Sequence, residues 1–328
     1  MHFADAHSDL GVLIHLADQE LMPRELVDTY LEQMRSGNML FSLVQLGGDF
    51  DHEEIDLRES RRVMGVLESL LREIEHVQFL ELVQWSQQFR ALHKTGKTGV
   101  VLSLEGCASI DSEFRTLEAL HQRGLRMFAL THNGPNIYAC GCEVEDDTGL
   151  TPLGESLLDR GQELGLILDL VHIGERSFWD ALEYTSQPVF ISHSNAKSLY
   201  VHMRNITDEQ IMAIAERGGI VALNLLCEFM DDPGRPVPLK RFVDHVEHMV
   251  GLTSIRHVAL GPDFFRYMMP ELEYVGELDN PSRLPLLPQI LAEGGFSEEE
   301  IELVCWRNLQ DFLERNLPRA PGSHRAGS

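Results

Sequence analysis

Residues 166–194, LILDLVHIGERSFWDALEYTSQPVFISHS, constrain the fold more than any other part of the chain. Two short apolar runs in this stretch are each followed by a histidine, His172 and His193, and an amphipathic segment lies between the runs. The pattern is typical of two parallel strands joined by a crossover helix. In a barrel of such units, residues just past the strand ends face one shared site, so both histidines could bind one metal ion.

The same alternation of apolar runs and helical patterns extends along the whole chain. Helical periodicity predicts helices such as Arg24–Arg35 and Ile55–Ile74, and Thr207-x-x-Gln210 is a capping box that opens another. Eight strands are predicted, near residues 3–7, 39–46, 98–104, 125–131, 166–171, 189–192, 220–223 and 257–260. Eight alternating β/α units predict a single-domain (β/α)8 TIM-type barrel over residues 1–318.

A doubly wound open sheet is the competing architecture for such an alternation. Its first strand is normally followed by a glycine-rich phosphate-binding turn, whereas this chain has His7-Ser8-Asp9 at that point. The barrel is therefore the favoured prediction. Residues 319–328 offer nothing that could pack on a core, and we expect them to be a disordered or vector-derived tail.

Charge and cysteine content restrict the partners and the compartment. The chain has 27 Lys and Arg against 52 Asp and Glu, a formal charge of −25, so neither a nucleic acid nor an anionic membrane is expected as partner. No apolar run reaches the roughly 18 residues needed to span a bilayer. Five cysteines and an amino-terminal segment unlike a signal peptide predict a cytoplasmic protein. The oligomeric state is left open, with a homodimer compatible with the sequence.

Polar residues with metal-binding chemistry follow six of the eight predicted strands. In chain order these are His7 and Asp9, Glu105, His132, His172, His193 and Asp263. Imidazole and carboxylate are the ligands of zinc and other borderline divalent ions, and His-x-Asp would place both side chains on one strand face. Two ions about 3.5–4 Å apart could share a water whose pKa falls from about 15.7 to near 7. The set therefore predicts a metal-dependent hydrolase.

Each of these residues has a simpler explanation when it is taken alone. A histidine at a strand end is most often a hydrogen-bonded structural residue, and Glu105-Gly106 could simply begin a turn. Cys140-Gly-Cys142 could form a thiolate metal site, but a second cysteine pair is absent. Cys107 could be a nucleophile, although packing is favoured. The acidic loop 143–147 and the remaining histidines, His202 among them, are interpreted as surface or packing residues.

Several short motifs together resemble the membrane (renal) dipeptidase family of zinc peptidases and its bacterial members. They are AspAlaHisSerAspLeu (5–10), LeuGluGly (104–106), LeuThrHisAsn (130–133), GlyLeuThrProLeuGly (149–154), LeuAspLeuValHis (168–172), SerHisSer (192–194), ArgAsn (204–205) and GlyProAspPhe (261–264). The motifs recur in the order of the family over nearly the whole chain. Any one of them would be weak evidence, but the series is specific.

The resemblance implies a dipeptidase with two zinc ions in a (β/α)8 barrel. By motif match, His7 and Asp9 would bind one zinc ion, His172 and His193 would bind the other, and Glu105 would bridge the two. The substrate would be a small dipeptide, in some family members one with a D-residue at its carboxyl end. The bridged pair would supply a hydroxide that attacks the amide bond.

The resemblance also implies catalytic and substrate-binding roles. Asp263 would hold the bridging water and pass its proton to the leaving amine. His132 would stabilise the oxyanion, and Arg204 would pair with the terminal carboxylate of the substrate. Asp263, His132 and Glu105 are therefore the predicted catalytic residues. Only Arg204 comes from the resemblance alone.

At two positions the chain departs from the family pattern, and these departures leave alternative functions open. The family usually continues its strand-eight aspartate with Phe-Asp-Gly, whereas this chain has Phe264-Phe265-Arg266, which adds bulk and a positive charge near the site. Phe229 stands near the position of a family tyrosine. An amidohydrolase acting on a non-peptide amide, an N-acyl amino acid or a lactone is therefore the first alternative. A metal-binding barrel that has lost catalysis is the alternative from another class.

Overall fold

The computed structural model describes residues 1–49, 51–52, 55–232 and 236–321. Within these ranges, eight barrel strands and the helices between them form one domain. Three short strands of the described chain lie outside this series, Asp51–His52, Ile55–Asp56 and Leu80–Leu82, the last of which pairs in parallel with residues 98–100. The strands are β1 (Phe3–Ser8), β2 (Met39–Gly48), β3 (Thr98–Glu105), β4 (Leu125–Ala129), β5 (Ile167–Asp169), β6 (Val189–Phe190), β7 (Val221–Leu223) and β8 (Val258–Leu260). All eight predicted strands are therefore present.

The strands pair in chain order and run parallel. Parallel ladders join β1 through β6 and join β7 to β8, and a parallel bridge between Ile191 and Val221 connects the two sets. At the far edges, His7 Nε2 at the end of β1 lies 3.7 Å from Asp263 Oδ1 beyond β8. Because the first and last strands meet, the sheet is curled into a barrel, and the predicted (β/α)8 architecture is confirmed.

The helices between the strands begin and end at recognisable signals. Their bounds are Leu10–Asp18, Arg24–Ser36, Ser60–His76, Gln88–Thr95, Arg115–Gln122, Pro152–Leu164, Glu175–Tyr184, Asp208–Glu216, Leu239–Leu252, Leu287–Glu293, Glu298–Glu302 and Asn308–Asn316. The predicted capping box between Thr207 and Gln210 is formed. Gly165 ends its helix at φ +69°, a left-handed conformation that favours glycine.

The sequence analysis and the structure differ at three helices, of which Leu10–Asp18 and Gln88–Thr95 were not predicted. The helix predicted from Ile55 begins at Ser60, because Ile55–Asp56 forms a short strand instead. Helix Leu10–Asp18 directly follows β1 and was not predicted. Its residues through Leu16 are nearly all apolar and buried, so the segment shows no amphipathic period by which a helix could be recognised.

The core consists of two layers separated by the barrel wall. The interior of the barrel is filled by side chains from the strands, Ala4, Ala6, Phe41, Leu43, Val101, Met127, Ile167, Phe190, Ala222 and Ala259. Helix Asn308–Asn316 adds Leu309, Phe312 and Leu313 to the same cluster, and the Phe190 and Phe312 rings lie 5.6 Å apart. This helix therefore closes the amino-terminal end of the barrel and leaves the carboxyl-terminal end open.

The carboxyl-terminal segment continues past this helix along the surface. Ser86 N donates to Pro318 O at 3.0 Å, and Ala320 N donates to Gln87 Oε1 at 3.1 Å. Residues 322–328 of the predicted tail lie outside the described part of the chain. No helix among the described residues is both long enough and apolar enough to cross a bilayer.

The packing of Phe312 gives a stability prediction. Its side chain is 1% exposed in the barrel interior, so Phe312→Ala should lower the free energy of unfolding by about 3–5 kcal/mol. Urea unfolding followed by circular dichroism would measure the change. Leu286→Ala, at a position 41% exposed, is the control and should stay within about 0.5 kcal/mol. Equal effects of the two changes would contradict the closing role of the helix.

Candidate metal centre

All the residues that were predicted from strand ends lie at the carboxyl-terminal end of the barrel. His7 belongs to β1 and Glu105 is the last residue of β3. The others occupy the turns that follow their strands, namely Asp9, His132, His172, His193 and Asp263. Residues from six different strand ends thus face one point, as parallel strands in a barrel require.

The centre of the group is one carboxylate oxygen of Glu105. Glu105 Oε1 lies 2.9 Å from His172 Nε2 and 3.6 Å from the Nε2 atoms of His7 and His193. His172 Nε2 and His193 Nε2 are 3.0 Å apart. His7 Nε2 is also 3.4 Å from Asp9 Oδ2. Nitrogen and oxygen atoms with lone pairs therefore surround a small space, an arrangement that suits a cation.

Three overlapping sets of donor atoms could hold a metal ion. Within each set the donors lie within 4.8 Å of one another. The sets are His7 with Glu105 and His193, Glu105 with His132 and His172, and His7 with Asp9 and Asp263. Glu105 belongs to two of these sets, as does His7, so the three sets form one connected cluster.

His7 and Asp9 are brought together by a turn, and not by the alternation of side chains along a strand. The pairing of β1 with β2 shifts register between Asp5 and Ser8, and such irregularities redirect side chains near active sites. Asp9 lies past the strand, at the N-cap of the following helix. The prediction that His7 and Asp9 share one strand face by period two is therefore wrong in its reason, although the two side chains do meet.

Two of the site residues have strained backbones. His172 and Asp263 have φ values of +59° and +58°, a left-handed conformation that costs a non-glycine residue of order 1–3 kcal/mol. Both occur directly where a strand end turns into its loop. In these turns the His172 side chain faces Glu105 at 2.9 Å and the Asp263 side chain faces His7 at 3.7 Å.

Hydrogen bonds fix the orientation of two imidazoles. His172 Nδ1 donates to Asn133 Oδ1 at 2.7 Å, and His193 Nδ1 lies 2.8 Å from Ser192 Oγ. Burial lowers the pKa of both histidines well below the usual value, so both are neutral at pH 7. With Nδ1 as the donor, each ring presents the Nε2 lone pair to the centre, as a metal ligand must.

The remaining groups crowd several carboxyl groups around His7 in a buried place. Burial lowers the pKa of His7, but the carboxylates of Glu105 and Asp9 outweigh it and raise the pKa to about 10. Burial raises the pKa of Glu105 to about 8 and also raises the pKa of Asp263, and each is raised further by Asp9. Carboxylates are thus crowded together away from water. A bound cation would relieve this repulsion, so the donor set fits a divalent metal.

A cavity of about 480 Å³ opens above the donor cluster. Arg204 lines it and is only 6% exposed. Its Nη2 atom lies 3.4 Å from His193 O, and its guanidinium lies 5.5 Å from the centre of the Phe229 ring.

Of the two residues that depart from the family pattern after Phe264, Phe265 lines the cavity. Arg266 does not, because its guanidinium pairs with Asp279 at 2.6 Å. The expectation that Arg266 adds positive charge near the site is therefore wrong.

Two residues that the sequence analysis assigned to the surface or to packing, and a third that it did not mention, also line this cavity. They are His202, Glu143 and Glu228; Glu143 is exposed as expected, yet it faces the site. All three belong to loops whose paths no local sequence pattern reveals. The signal that the sequence offered was their place in connections that follow the carboxyl-terminal ends of barrel strands.

The cysteines do not form a metal site within the described chain. Cys140 Sγ lies 3.6 Å from Thr148 Oγ1, and Cys142 Sγ lies 3.5 Å from Asn133 Oδ1. Cys107 is buried, donates to Ala129 O at 3.1 Å, and has a pKa raised well above the usual value by burial. These contacts favour packing over a nucleophilic role for Cys107.

Comparison with known proteins identifies the family of the chain. The membrane dipeptidase family, peptidase family M19, matches residues 1–316. An uncharacterised protein of Klebsiella pneumoniae is 31% identical over 218 residues, 64% of this chain and 79% of that protein. An uncharacterised dipeptidase of Schizosaccharomyces pombe is 26% identical over 329 residues, 93% of this chain and 78% of the relative.

A solved structure supports the same fold. It is a metallopeptidase of Rhodobacter sphaeroides bound to a phosphinate mimic of the dipeptide L-Ala-D-Ala. The TM-score is 0.86 at 20% identity, and the match covers 96% of this chain and 99% of that one. The chain belongs to the membrane dipeptidase family and, as a member, is a metal-dependent dipeptidase. The predicted family and enzyme class are confirmed.

The hydrogen bond from His172 to Asn133 gives a prediction for metal affinity. Asn133→Ala removes the acceptor that fixes the His172 ring, so zinc affinity should fall about 10–100-fold. Competition with a chromophoric chelator would measure it. Asn316→Ala, whose amide donates to Phe312 O far from the site, is the matched control. Unchanged affinity in the Asn133 variant would show that this bond does not orient a ligand.

Proposed function

We propose that this protein is a zinc dipeptidase with two metal ions, which cleaves dipeptides that carry a free carboxylate. One observation carries the proposal. A single Glu105 oxygen lies within 3.6 Å of three imidazole Nε2 atoms, and Arg204 lines the same cavity. Neutral imidazoles and carboxylates form the ligand chemistry of zinc.

The donor atoms divide between two ions in the proposed site. His7 and Asp9 would hold one ion, His172 and His193 would hold the other, and Glu105 would be shared. When bound, the ions would supply an acidified water as nucleophile and would polarise the scissile carbonyl. The Glu105 position supports this division because its Oε1 atom faces both histidine groups.

Arg204 is proposed to bind the carboxylate of the substrate. It is buried at the cavity wall. Its guanidinium lies over Phe229, makes a long contact of 3.4 Å to His193 O and has the Cys142 thiol as a hydrogen-bonding neighbour. A planar guanidinium binds a carboxylate through two parallel hydrogen bonds. Its position near His193 would place the carboxyl-terminal residue of the substrate on this side of the metal centre.

Asp263 is proposed to hold the nucleophilic water and to pass a proton to the leaving amine. Asn224 Nδ2 donates to Asp263 Oδ2 at 3.0 Å, which orients the carboxylate and leaves Oδ1 facing His7 at 3.7 Å. Burial raises the pKa of Asp263. A carboxyl group with a raised pKa can accept and release a proton near neutral pH.

His132 is proposed to stabilise the oxyanion. Burial lowers its pKa to about 4, with the nearby Arg204 acting in the same direction, so the ring is neutral and keeps one N–H. Its ring lies 4.2 Å from the ring of His172, beside the metal ligands. A neutral donor fixed at this point could hydrogen-bond the oxygen on which negative charge develops.

The rest of the cavity restricts the amino-terminal residue of the substrate. Leu226, Met269 and Leu272 form an apolar wall, and Glu143 and Glu228 add two carboxylates. We place the substrate ammonium toward these carboxylates. Preference for a D-residue at the carboxyl end is part of the proposal and depends on this orientation.

The compartment and the assembly state also remain proposals. All five cysteines are free thiols, which is in keeping with a reducing compartment and the predicted cytoplasmic location. A homodimer is compatible with the site, since every proposed ligand comes from one chain.

A substrate panel on zinc-loaded protein tests the function. L,L and L,D dipeptides, N-acyl amino acids and lactones would be assayed beside a metal analysis. About two zinc equivalents with dipeptide hydrolysis supports the proposal. Hydrolysis of the other amides or lactones alone would favour the amidohydrolase, and two bound ions without any hydrolysis would indicate a barrel that has lost catalysis.

The Asp263 assignment predicts a loss of turnover without a loss of metal. Asp263→Asn cannot carry the proton, so kcat should fall about 10²–10⁴-fold, while the zinc content stays at the level of the unchanged protein. Steady-state kinetics and elemental analysis would give both values. Full activity in this variant would refute the role.

The Arg204 assignment predicts a carboxylate-dependent effect on binding. Arg204→Ala removes a charged hydrogen-bonding partner worth about 1.5–3 kcal/mol, so KM for dipeptides should rise about 10–100-fold. Dipeptide amides, which lack the carboxylate, should be affected much less. An equal increase in KM for acids and amides would rule out the pairing.

A further inference from the structure

Asp49 lies directly after β2, beside the metal centre, but has no role in the mechanism above. Its carboxylate accepts hydrogen bonds from Ala108 N, from His132 N at 3.1 Å and from Asn136 Nδ2 at 2.9 Å. The donors come from two different loops, one after β3 and one after β4. Asp49 therefore connects three neighbouring strand ends at the level of the site.

The two carboxylate oxygens serve different loops. Oδ1 accepts from Ala108, in the loop that follows Glu105, and Oδ2 accepts both contacts from the loop that carries His132. The backbone of Asp49 adds a bond from its N–H to Glu105 O at 3.2 Å. Gly106, at φ +84°, packs so closely that a Cβ there would lie 2.4 Å from Asp49 Cγ.

Asn136 extends this anchoring through the loop after β4. Its Nδ2 also donates to Leu130 O at 2.7 Å, and its Oδ1 accepts from Tyr138 N at 2.8 Å and Ala139 N at 3.2 Å. Residues 130–139 are thus tied into one unit whose attachment to the barrel includes Asp49. The same unit contains His132 and Asn133, the partner of His172.

We propose that Asp49 is a positioning residue that holds His132 in place for catalysis. The inference rests on the proposed function, because His132 acts there on the substrate oxygen. Three N–H donors converge on Asp49, and only a carboxylate offers acceptors on both of its oxygens. An asparagine could serve one loop, but its NH2 group would face a donor of the other.

A double-mutant cycle between Asp49 and His132 tests the proposal. Asp49→Asn should lower kcat for a dipeptide about 10–100-fold, since small misplacements of reacting groups have effects of this size. In a His132→Ala background the same change should lower kcat less than about threefold, because the group that Asp49 positions is already gone. The KM and the zinc content should change little in both backgrounds.

Hydrogen exchange supplies a readout that does not depend on activity. In Asp49→Asn, amides of residues 130–139 should exchange faster, while the segment around Ala108 should stay protected because asparagine retains one acceptor. Asp111→Asn is the matched control. Asp111 likewise accepts backbone N–H groups, from Glu113 at 3.1 Å and Thr116 at 2.8 Å, but belongs to no proposed machinery.

The results of these experiments distinguish a failure of the Asp49 role from a failure of the proposed function. Equal losses of kcat in both backgrounds, or unchanged exchange over residues 130–139, would overturn the role of Asp49. If the Asp49 variant does not fold, Asn136→Ala removes one of the three contacts and should show the same effects at smaller size; no effect there would also overturn it. Absence of dipeptide hydrolysis by the unchanged protein would count against the function, and the exchange data would still decide the role of Asp49.

Discussion

The structure depends on holding together donor atoms that repel one another. Three imidazole Nε2 atoms surround one Glu105 oxygen, and further carboxylates lie behind them. Such a group is unfavourable in a buried place unless a cation compensates it and the surrounding chain fixes it. The barrel provides the fixation, because each donor stands at the end of a different strand whose direction is set by its neighbours.

Buried carboxylates behind the site perform much of this fixation. Asp5 Oδ1 accepts from His7 N at 2.9 Å. Asp169 Oδ1 accepts from Val171 N and Ser192 N, both at 3.1 Å, and so ties the turn before His172 to the turn before His193. The carboxyl groups of Asp5 and Asp169 thus accept hydrogen bonds from backbone N–H groups next to the candidate ligands. The centre is therefore shaped by polar contacts to the main chain as well as by its ligands.

The apolar packing that stabilises the barrel and the polar residues of the candidate metal centre lie at opposite ends of the barrel. The amino-terminal end is filled with apolar side chains and closed by helix Asn308–Asn316. The carboxyl-terminal end carries the strained turns at His172 and Asp263. Backbone strain of this kind persists only where the surrounding structure is well packed. The packed barrel interior therefore allows the turns at His172 and Asp263 to keep their geometry.

Elements with a periodic pattern and residues that directly follow a strand could be predicted from the sequence. Contacts that depend on the path of a loop could not. Apolar runs predicted all eight barrel strands, helical periodicity predicted most helices, and the position of a residue after a strand was enough to predict the donor cluster. Helix Leu10–Asp18 was missed because it is apolar on every side. Asp49 was missed because its three partners are distant in sequence and meet it only in the folded chain. The direction of Arg266 is likewise set by a partner, Asp279, that no local pattern indicates.

A zinc-soaked crystal examined by anomalous diffraction at the zinc edge would test the central claim most directly. The account predicts two peaks about 3.5–4 Å apart, both in contact with the Glu105 carboxylate, one beside His7 and the other beside His172 and His193. A single peak, or peaks that do not touch Glu105, would contradict it.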